Sequence, residues 1–569
     1  MIATHAPPSP SEHLALPTKR LYGEPVIEAT TPTVPALIQR ATQLFPDNDS
    51  FVFPDSRQTY AELESSALEV ARSMTAMGIG PGDAVGVIMP NCPEFLHVMF
   101  GTAMIGALFV PINSRLAPRE LAYVIPDADI KLIFTTDVVD EHVDYVARLH
   151  AAFPQLASAE VGITPEISSA PSLATAVVLG SRSAPGFKTQ REFLSLADLI
   201  SADEVKATAS AIRPDSPYIM MYTSGTTSVP KGCPLTHEAV VRLGTAVGEE
   251  AFRITEADRM WNPLPMFHVS AQAPMIGILN AGATYISMTH FDPTEAMDLI
   301  AREKATLLYP AYPTITGPLL NHPRYDADTF AGVRGLLTVG PPELLAEYQA
   351  QLPHTSHVSC YGSTETGGIA VMGKLTDPLE DRLTCGKPFE GIEIQIRDVA
   401  TGDELGVGQT GALYMRGYNL FSGYHNDPQK TADSFDSAGW FFTGDLASID
   451  ERGNMSFSGR TKDMLKVGGE NVGCLEVEAY LMTHPDVVLA AVVGVPDAKY
   501  GEVPAAFVEL RPGAHLDESI LTDYARAGLA KYKVPKLFRF VDTWPMSATK
   551  IQKHRLLDQL SDSPPAPIS

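Results

Sequence analysis

The stretch that decides the fold is Tyr222-Thr-Ser-Gly-Thr-Thr-Ser-Val-Pro-Lys231-Gly232. It follows an apolar, strand-like run, Tyr218–Tyr222, and precedes a helix that we expect to begin near Thr236. Hydroxyls and backbone N–H groups packed into one turn can hold phosphate oxygens, and the lysine adds positive charge. The stretch is not a Walker A loop, because that loop needs four residues between its glycine and Gly-Lys-Ser/Thr. Taken alone, it leaves a flexible Ser/Thr-rich loop as an open alternative.

Strand-like runs alternate with amphipathic stretches on both sides of this loop. Thr59-x-x-Glu62 is a capping box, and Asp292-Pro293 with Glu295 opens another helix. Strands interleaved with helices predict α/β layers built on a largely parallel sheet. The other strand-like runs are Val85–Met89, Lys131–Thr135, Thr306–Tyr309, Leu336–Val339, Ile392–Arg397 and Val488–Val493.

The pattern changes twice toward the C-terminus. From about residue 384 to 458 short strands and Gly-rich turns predict a small all-β piece, and mixed helices and strands follow Gly459. Residues 151–200 are weakly patterned, and we expect a surface excursion there. The predicted organisation is an N-terminal extension (1–30), a large N-terminal domain (31–460), a C-terminal domain (461–557) and a disordered tail (558–569).

Composition and charge exclude several classes of function. The 569 residues carry 42 Lys and Arg against 67 Asp and Glu, a net charge of −25, which disfavours nucleic-acid binding. The longest apolar stretch, Val98–Val110, is too short for a bilayer and predicts a buried helix running into a strand. Met1–Arg20 lacks the apolar segment of a signal peptide. Five cysteines without a CxxC pair predict neither a disulfide framework nor a zinc ribbon, and favour a reduced, cytoplasmic location.

Four further motifs follow the first one in a fixed order. Each is weak alone, since a Gly-Asp pair is usually a turn and a C-terminal lysine is usually solvated, but their combined order and spacing are specific. They are Tyr361-Gly-Ser-Thr-Glu-Thr-Gly-Gly368, Trp440-Phe-Phe-Thr-Gly-Asp445, Gly459-Arg-Thr-Lys-Asp463 with Lys466-Val-Gly-Gly-Glu-Asn471, and Pro545-Met-Ser-Ala-Thr-Lys550-Ile-Gln-Lys553.

With these motifs, the sequence resembles the acyl-adenylate-forming superfamily of acyl-CoA synthetases, nonribosomal adenylation domains and firefly-type luciferases. The resemblance runs from about residue 30 to 557. It implies an α/β fold: a large N-terminal domain of two α/β subdomains and a β-barrel-like piece, with a small, mobile α+β C-terminal lid. It also implies ATP-dependent conversion of a carboxylic acid to an acyl-adenylate, followed by transfer to CoA.

The resemblance also implies a role for individual residues. Lys550 would bridge the carboxylate and the α-phosphate, Thr364 would touch the α-phosphate, and His268 would lie beside the acyl carboxylate. Lys462 resembles the hinge residue of the lid. The implied cofactor-binding residues are Thr223, Ser224, Gly225, Thr226, Thr227 and Lys231 at the ATP phosphates, Glu365 with Thr226 at Mg²⁺, Gly340, Pro341, Pro342, Tyr361 and Gly362 at the adenine, Asp445 and Arg460 at the ribose, and Lys466, Gly468 and Gly469 on the segment that lines the CoA tunnel.

The sequence departs from the family pattern at several positions. Ser228 stands where the phosphate loop usually has glycine, and two prolines replace the usual glycine and small residue at 341 and 342. Proline has no N–H, so two backbone donors are lost there. Thr549 replaces the usual glycine before Lys550, which leaves Lys553 as the alternative lid lysine. None of these departures replaces a charged residue to which the resemblance gives a role.

The inferred acid pocket carries no carboxylate to pair with an amino-acid ammonium group. The stretch Met266–Gln272 is free of acidic residues. A hydrophobic or aryl acid is therefore predicted.

The alternative functions are an acyl-AMP ligase that loads a carrier protein, an inactive acyl-nucleotide-binding relative, and a luciferase-like oxidase. No GxGxxG opens a helix after a strand, which disfavours a Rossmann dehydrogenase. The expected partners are the acid, ATP and CoA, with homo-oligomerisation left open. The remaining inferred pocket residues are Tyr312, Thr314, Thr338, Cys360 and Ile369.

Overall fold

The structure is a computed structural model that describes residues 32–223, 230–467, 470–497, 500–547 and 550–561. In those ranges, no helix is both long enough and apolar enough to cross a bilayer. Eight side chains within the ranges also lie outside the description, namely those of Lys462, Met464, Lys466, Glu470, Asn471, Ser547, Lys550 and Ser561.

Helices and strands alternate through most of the chain, as the sequence pattern predicts. Short helical turns that are not α-helical cover Ser195–Leu199, Val247–Phe252, Ala327–Phe330 and Thr461–Asp463. The α-helices are α1 (Val34–Leu44), α2 (Tyr60–Ala76), α3 (Pro93–Met104), α4 (Pro118–Asp127), α5 (Tyr145–Ala152), α6 (Pro154–Ala157), α7 (Gln190–Leu194), α8 (Ala202–Ala211), α9 (His237–Ala246), α10 (Val269–Ala281), α11 (Pro293–Arg302), α12 (Pro313–Leu320), α13 (Pro342–Gln351), α14 (Leu379–Arg382), α15 (Pro428–Ser434), α16 (Cys474–Met482), α17 (Glu518–Gly528) and α18 (Lys553–Ser561).

Up to residue 358, most strands are separated from the next strand by a helix. After residue 358, several strands follow one another without a helix between them. The strands are β1 (Asp49–Phe53), β2 (Ser56–Thr59), β3 (Ala84–Ile88), β4 (Leu108–Pro111), β5 (Ile130–Thr136), β6 (Thr175–Leu179), β7 (Lys188–Thr189), β8 (Pro217–Thr223), β9 (Lys231–Thr236), β10 (Arg259–Trp261), β11 (Thr284–Ile286), β12 (Leu307–Ala311), β13 (Gly335–Thr338), β14 (Ser356–Val358), β15 (Cys360–Tyr361), β16 (Val371–Met372), β17 (Lys387–Pro388), β18 (Ile392–Arg397), β19 (Gly411–Gly417), β20 (Phe441–Ile449), β21 (Met455–Arg460), β22 (Met464–Val467), β23 (Glu470–Gly473), β24 (Val487–Asp497), β25 (Gly501–Leu510), β26 (Leu537–Phe540), β27 (Met546–Ser547) and β28 (Lys550–Ile551).

Local sequence signals fix the starts of several helices. The capping box predicted at Thr59 and Glu62 is present, with each side chain bonded to the backbone of the other residue. Asp292 caps α11 through two backbone N–H groups, and Pro293 occupies its first position. The apolar stretch after Pro93 forms α3 and then β4, as predicted.

Two seven-stranded sheets form the large N-terminal part. The first has the order β7-β6-β5-β3-β4-β8-β9 and is parallel except for the pair β8–β9. The second has the order β14-β13-β12-β10-β11-β1-β2 and is parallel except for β1–β2. One apolar cluster contains residues of both sheets, including Phe51 from the second and Phe109 from the first. The two sheets therefore share a core.

The surface excursion expected for residues 151–200 is wrong. Its run Thr-Ala-Val-Val-Leu forms β6, whose residues after Thr175 are buried and pair with β5 in parallel. Phe187 and Phe193 from the same region are also fully buried. The region packs because a short apolar strand and two aromatic rings suffice to complete the sheet and its core.

The β-rich piece predicted near residues 384–458 is an antiparallel sheet with the order β18-β19-β20-β21. The chain then forms a separate sheet, β23-β22-β25-β24, with β26 parallel to β25. Its two apolar clusters contain only residues from Leu465 onward, so this C-terminal part has its own core. The predicted α/β class, with a large N-terminal and a small C-terminal part, is confirmed.

The predicted start of the disordered tail, at residue 558, is too early. Helix α18 covers residues 553–561, and its Leu556 is fully buried. Residues 558–561 are therefore helical, because the amphipathic turn that buries Leu556 continues through them. Residues 1–31 and 562–569 lie outside the described ranges. The remaining domain boundaries stay predictions.

Candidate active site

The candidate site lies at the carboxyl ends of neighbouring strands of the second sheet. Strand β12 leads into Tyr312, β13 leads into Gly340, and β14 is followed by Tyr361 in β15. Parallel strands bring their carboxyl ends to one edge of a sheet, and open α/β sheets bind ligands there. These three segments therefore converge because of strand direction, although they are distant along the chain.

The phosphate loop is the connection of a β-hairpin. Thr223, the last residue of β8, is the cross-strand partner of Lys231, the first residue of β9. Strand β9 lies between the loop and α9, and α9 is capped by Thr236, where the sequence predicts the start of a helix. Pro234 is tolerated in β9 because β9 is an edge strand. Ser224, Gly225, Thr226 and Thr227 lie outside the described residues.

Three residues assigned to the adenosine are joined directly. The Tyr361 hydroxyl donates to Asp445 Oδ2 at 2.6 Å, and Arg460 Nε lies 3.4 Å from Asp445 Oδ1. Asp445 and Arg460 are cross-strand partners in β20 and β21, so their side chains leave the same face of the sheet. Burial and the Asp445 carboxylate raise the pKa of Tyr361, so its hydroxyl stays protonated and donates.

The turn that follows Tyr361 is tightly built. A Cβ added at Gly362 would lie 1.9 Å from the carbonyl oxygen of Gly368, so only glycine fits there. The backbone N–H of Gly367 donates to the carbonyl of Thr364 at 3.1 Å. Thr364 and Glu365 are both half-buried on this turn. The turn therefore holds both candidate residues in a fixed backbone frame.

His268 lies beside this turn. It is the residue before α10, and a Cβ built at Gly368 would meet the carbonyl oxygen of Val269 at 3.0 Å. The side chain of Asn91 fixes the preceding segment, because it donates to the carbonyl of Leu264 and accepts from the N–H of Met266. The structure thus places His268 close to the segment that carries Thr364.

Glu365 and Lys231 meet at one tyrosine that our sequence analysis did not identify. The Tyr424 hydroxyl donates to Glu365 Oε1 at 3.1 Å, and Lys231 Nζ lies 5.4 Å from the centre of the Tyr424 ring. Burial and the Glu365 carboxylate raise the pKa of Tyr424. The signal in the sequence, Gly-Tyr between two strands, is too common to indicate a site.

A second anchor lies at the start of the phosphate loop. The Tyr222 hydroxyl donates to Asp127 Oδ2 at 2.6 Å. Asp127 ends α4, and its carbonyl oxygen is bonded by His425 at 2.9 Å and Asn426 at 3.1 Å. A helix-terminal carbonyl lacks a partner within its own helix, so these side chains satisfy it. The N–H of His425 also donates to the carbonyl of Gly232 in β9 at 2.8 Å, so residues far apart in sequence fix both strands of the loop's hairpin.

The two prolines assigned to the adenine segment fit their local structure. Pro342 is the first residue of α13, where the missing N–H costs nothing because no carbonyl of the helix would accept it. Pro341 precedes it in extended conformation, and Gly340, two residues after β13, is exposed. The departure from the family pattern is thus compatible with the helix start.

The lid residues are described only in part. Lys550 begins β28 and pairs with Ser547 across a hairpin, and Lys466 lies in β22 opposite Asn471, but neither lysine side chain is among the described ones. Gly468 and Gly469 lie outside the described residues.

The alternative lid lysine has a structural partner. Lys553 Nζ lies 2.6 Å from Glu478 Oε1, which also accepts from the N–H of Val492. The Glu478 carboxylate and other nearby acidic groups raise the pKa of Lys553, against the effect of burial. Lys553 is therefore engaged inside the C-terminal part, which favours Lys550 as the residue that reaches a ligand.

The described residues offer neither a protein-only metal cage nor an activated thiol. No cluster of three or more His, Cys, Asp or Glu residues suited to a metal occurs among them. Burial raises the pKa of Cys385 to about 11 and that of Cys474 to about 12, so both thiols stay protonated at neutral pH.

Comparisons with known proteins identify the family of the chain. The AMP-binding enzyme family matches residues 38–425, and the AMP-binding enzyme C-terminal domain matches residues 476–550. A long-chain-fatty-acid–CoA ligase of Mycobacterium tuberculosis is 33% identical over 93% of this chain and 98% of its own length. A mitochondrial medium-chain acyl-CoA ligase of Mus musculus is 29% identical over 93% and 87%.

A solved structure, ATP-bound MatB from Rhodopseudomonas palustris, superposes with a TM-score of 0.79 at 29% identity and covers 93% of this chain and 99% of MatB. The match spans both the N-terminal and the C-terminal part. The chain therefore belongs to the AMP-binding enzyme family, within the acyl-adenylate-forming superfamily.

Proposed function

We propose that this protein is an AMP-forming acid–thiol ligase. It joins a carboxylic acid to the α-phosphorus of ATP with release of pyrophosphate, and then passes the acyl group to CoA with release of AMP. One observation carries the proposal: the turn 361–368 joins Asp445, through Tyr361, to the same segment as Glu365. The group assigned to the ribose is thus hydrogen-bonded to the same short segment that carries the group assigned to a phosphate-bound cation. The ligase names of the two relatives support the same reaction.

The first step must bring two anions together. A carboxylate is a poor electrophile, and adenylation converts it into an acyl group with AMP as leaving group. Lys550 supplies positive charge between the carboxylate and the α-phosphate, and Thr364 donates to the phosphate as its charge develops. Fixed charges and donors of this kind typically contribute several kcal/mol to such transfers. His268 borders the carboxylate from the start of α10.

The nucleotide is held by the remaining assigned residues. Asp445 accepts hydrogen bonds from the ribose hydroxyls and Arg460 steadies that carboxylate, while Tyr361, Gly362 and the 340–342 segment border the adenine. The hairpin loop from Thr223 to Lys231, with Ser224, Gly225, Thr226 and Thr227, wraps the phosphates. The rigid hydrogen bonding around Tyr361 and the cross-strand pairing of Thr223 with Lys231 support this arrangement.

Glu365 suits the Mg²⁺ that accompanies ATP. Among the described residues, its half-buried carboxylate takes one hydrogen bond, from Tyr424, and forms no ion pair with a lysine, arginine or histidine. Mg²⁺ usually takes oxygen ligands, and here these would be one carboxylate, a hydroxyl such as that of Thr226, and phosphate oxygens. When bound, the ion supplies positive charge that offsets the charge of the phosphates.

The second step needs a thiol at the acyl carbon, so Lys550 has to leave. We propose that the C-terminal part turns about Lys462 and presents Lys466 and the Gly468-Gly469 turn to the pantetheine of CoA. The separate core of this part, which contains only residues from Leu465 onward, supports a rotation of the whole unit.

A hydrophobic or aryl acid fits the pocket best. The Thr338 hydroxyl is buried and bonded to the Thr316 hydroxyl at 2.7 Å, which leaves an otherwise apolar wall with Ile369. A buried pair of hydroxyls that satisfy each other offers little to a charged substrate. The location is proposed to be cytoplasmic because of the reduced cysteines, although the mouse relative is named as mitochondrial.

The test is a pyrophosphate-release screen of the full chain with ATP and a panel of aliphatic, aryl and amino acids, with and without CoA. We expect release with hydrophobic or aryl acids, and an acyl-CoA and AMP detected by mass spectrometry when CoA is present. Acyl-AMP that accumulates with CoA present and is consumed only by an acyl-carrier protein would favour the carrier-loading alternative. No acid-dependent release with any acid would refute the proposal.

A further inference from the structure

Tyr424 lies between two groups that the proposed reaction needs. Its hydroxyl donates to Glu365 Oε1 at 3.1 Å, and Lys231 Nζ lies 5.4 Å from its ring centre. Glu365 is the residue assigned to Mg²⁺, and Lys231 closes the phosphate loop. One half-buried side chain therefore touches both the metal side and the lysine side of the phosphate site.

The position of Tyr424 is fixed from several directions. Its backbone N–H donates to Thr431 Oγ1 at 2.9 Å, and the N–H of Phe421 donates to the carbonyl of Glu365 at 2.9 Å. The rings of Phe421 and Tyr424 meet edge to face with centres 4.8 Å apart. These contacts tie the segment 421–424 to the turn that carries Glu365, so the hydroxyl and the carboxylate keep their distance.

The hydrogen bond from Tyr424 gives the two carboxylate oxygens of Glu365 different roles. Oε1 is occupied by the Tyr424 hydroxyl, so the second oxygen can face a cation. Partners that hold a ligating carboxylate in one orientation typically change metal affinity by about 10- to 100-fold when they are removed. The face of the same ring attracts the Lys231 ammonium by a cation–π interaction.

We propose that Tyr424 is a positioning residue for the phosphate site. Its hydroxyl orients Glu365 toward the divalent cation, and its ring holds Lys231 at the end of the phosphate loop. The inference rests on the proposed function, since both groups take their roles from it. The two roles reside in different parts of one side chain, and two substitutions separate them.

The first experiment measures binding rather than turnover. Mn²⁺ serves as the probe, followed by electron paramagnetic resonance in the presence of ATP, and metal-free ATP binding is measured by calorimetry in EDTA. For Tyr424→Phe, which keeps the ring, we expect Mn²⁺ binding to weaken by about 10- to 100-fold and metal-free ATP binding to stay unchanged. For Tyr424→Leu, we expect metal-free ATP binding to weaken as well.

The matched control is Tyr325→Phe. Tyr325 is also half-buried, and its hydroxyl donates to the carbonyl of Gln351 at 2.9 Å, away from the phosphate site. Mn²⁺ affinity in Tyr424→Phe equal to that of the control would overturn the inference about the hydroxyl. Equal metal-free ATP affinity in the Phe and Leu variants would overturn the inference about the ring.

Failure of the proposed function would look different. In that case, the wild-type chain would show no acid-dependent pyrophosphate release, whatever the state of residue 424. A wild-type chain that adenylates an acid while Tyr424→Phe keeps normal Mn²⁺ affinity refutes this inference alone.

Discussion

The large N-terminal part and the small C-terminal part arrange their charged groups differently. In the first, residues assigned to the ligand contact one another, as Asp445 does with Tyr361 and Arg460. In the second, the ion pair of Lys553 with the buried Glu478 joins α18 to α16 and serves the internal structure. The comparison teaches that the charged groups of the proposed site pair with one another in the large part, whereas the Lys553–Glu478 pair joins two helices of the small part, the unit that we propose to move.

The largest effect is expected for Lys550→Ala. Acid-dependent ATP–pyrophosphate exchange should fall by about 10²- to 10³-fold, as is typical when one stabilising group is removed from a charged transition state. Conversion of a supplied acyl-AMP to the thioester should continue, because Lys550 is absent from that step. Lys536→Ala, an exposed charge in the same part, is the control. Exchange at the wild-type rate in Lys550→Ala would refute the assignment.

The next prediction tests the structural role of the second lysine. Lys553→Met should lower the free energy of unfolding by about 3 kcal/mol, because it leaves the Glu478 carboxylate, 6% exposed, without its cation. Glu478→Gln should cost less, because the Lys553 ammonium, on a side chain that is 27% exposed, can still reach water. Urea unfolding of both variants and of the double variant measures the coupling. Equal costs for the two single variants would contradict this account.

Asp445→Asn tests the ligand-centred part. The amide can still accept from Tyr361 but carries no charge, so ATP binding should weaken by about 10- to 100-fold, the value of a charged hydrogen bond. Isothermal calorimetry with ATP gives the result directly. Asp436→Asn, which removes a carboxylate paired with Arg397 in the same antiparallel region, should leave ATP affinity unchanged. A loss of equal size in both variants would point to general destabilisation.

Because the N-terminal part contains buried histidines, we predict that its free energy of unfolding falls in acid. Burial lowers the pKa of His97 and His357 to about 4 and that of His237 to about 3, from 6.5. His237 Nδ1 also accepts from the N–H of Val34 at 3.3 Å, which requires an unprotonated nitrogen. Below pH 6.5 the unfolded chain binds protons that the folded chain excludes, so stability is full above pH 6.5 and falls toward pH 4.

The size of this loss is about 2 kcal/mol between pH 7 and 5 for one such histidine. Urea unfolding across that range measures it, and His237→Gln, which keeps an acceptor but does not titrate, should flatten the slope. A wild-type slope that does not change in the variant would exclude His237 as a contributor.

The smallest effect is expected at a contact between the two parts. Arg511 Nη2 lies 3.6 Å from Glu347 Oε1 on α13, with side chains 40% and 44% exposed. Exposed pairs contribute about 0–1 kcal/mol and weaken with salt. Glu347→Gln should therefore change stability by less than about 1 kcal/mol, and the difference should vanish at high salt. A larger loss would mean that the two parts are locked together.

Local signals predicted much of the fold. The capping box at Thr59, the Asp-Pro start of α11 and the apolar strands β3, β5 and β12 need only their own neighbours, so their residues reveal them. Strand β6 was missed because its burial depends on β5, whose paired residues lie 43 positions earlier in the chain. Strand β9 was missed because a proline and a glycine conceal its pairing with β8.

The sequence alone determined the family of this protein and the candidate side chains for a nucleotide and an acid, because the order and spacing of its motifs are specific even where each is weak. Only the tertiary structure decided how these side chains are held. Tyr424 reaches both Glu365 and Lys231, and Asp127 meets both Tyr222 and His425, across separations of tens to hundreds of residues. Such contacts arise from strand order and sheet packing, which no local pattern encodes.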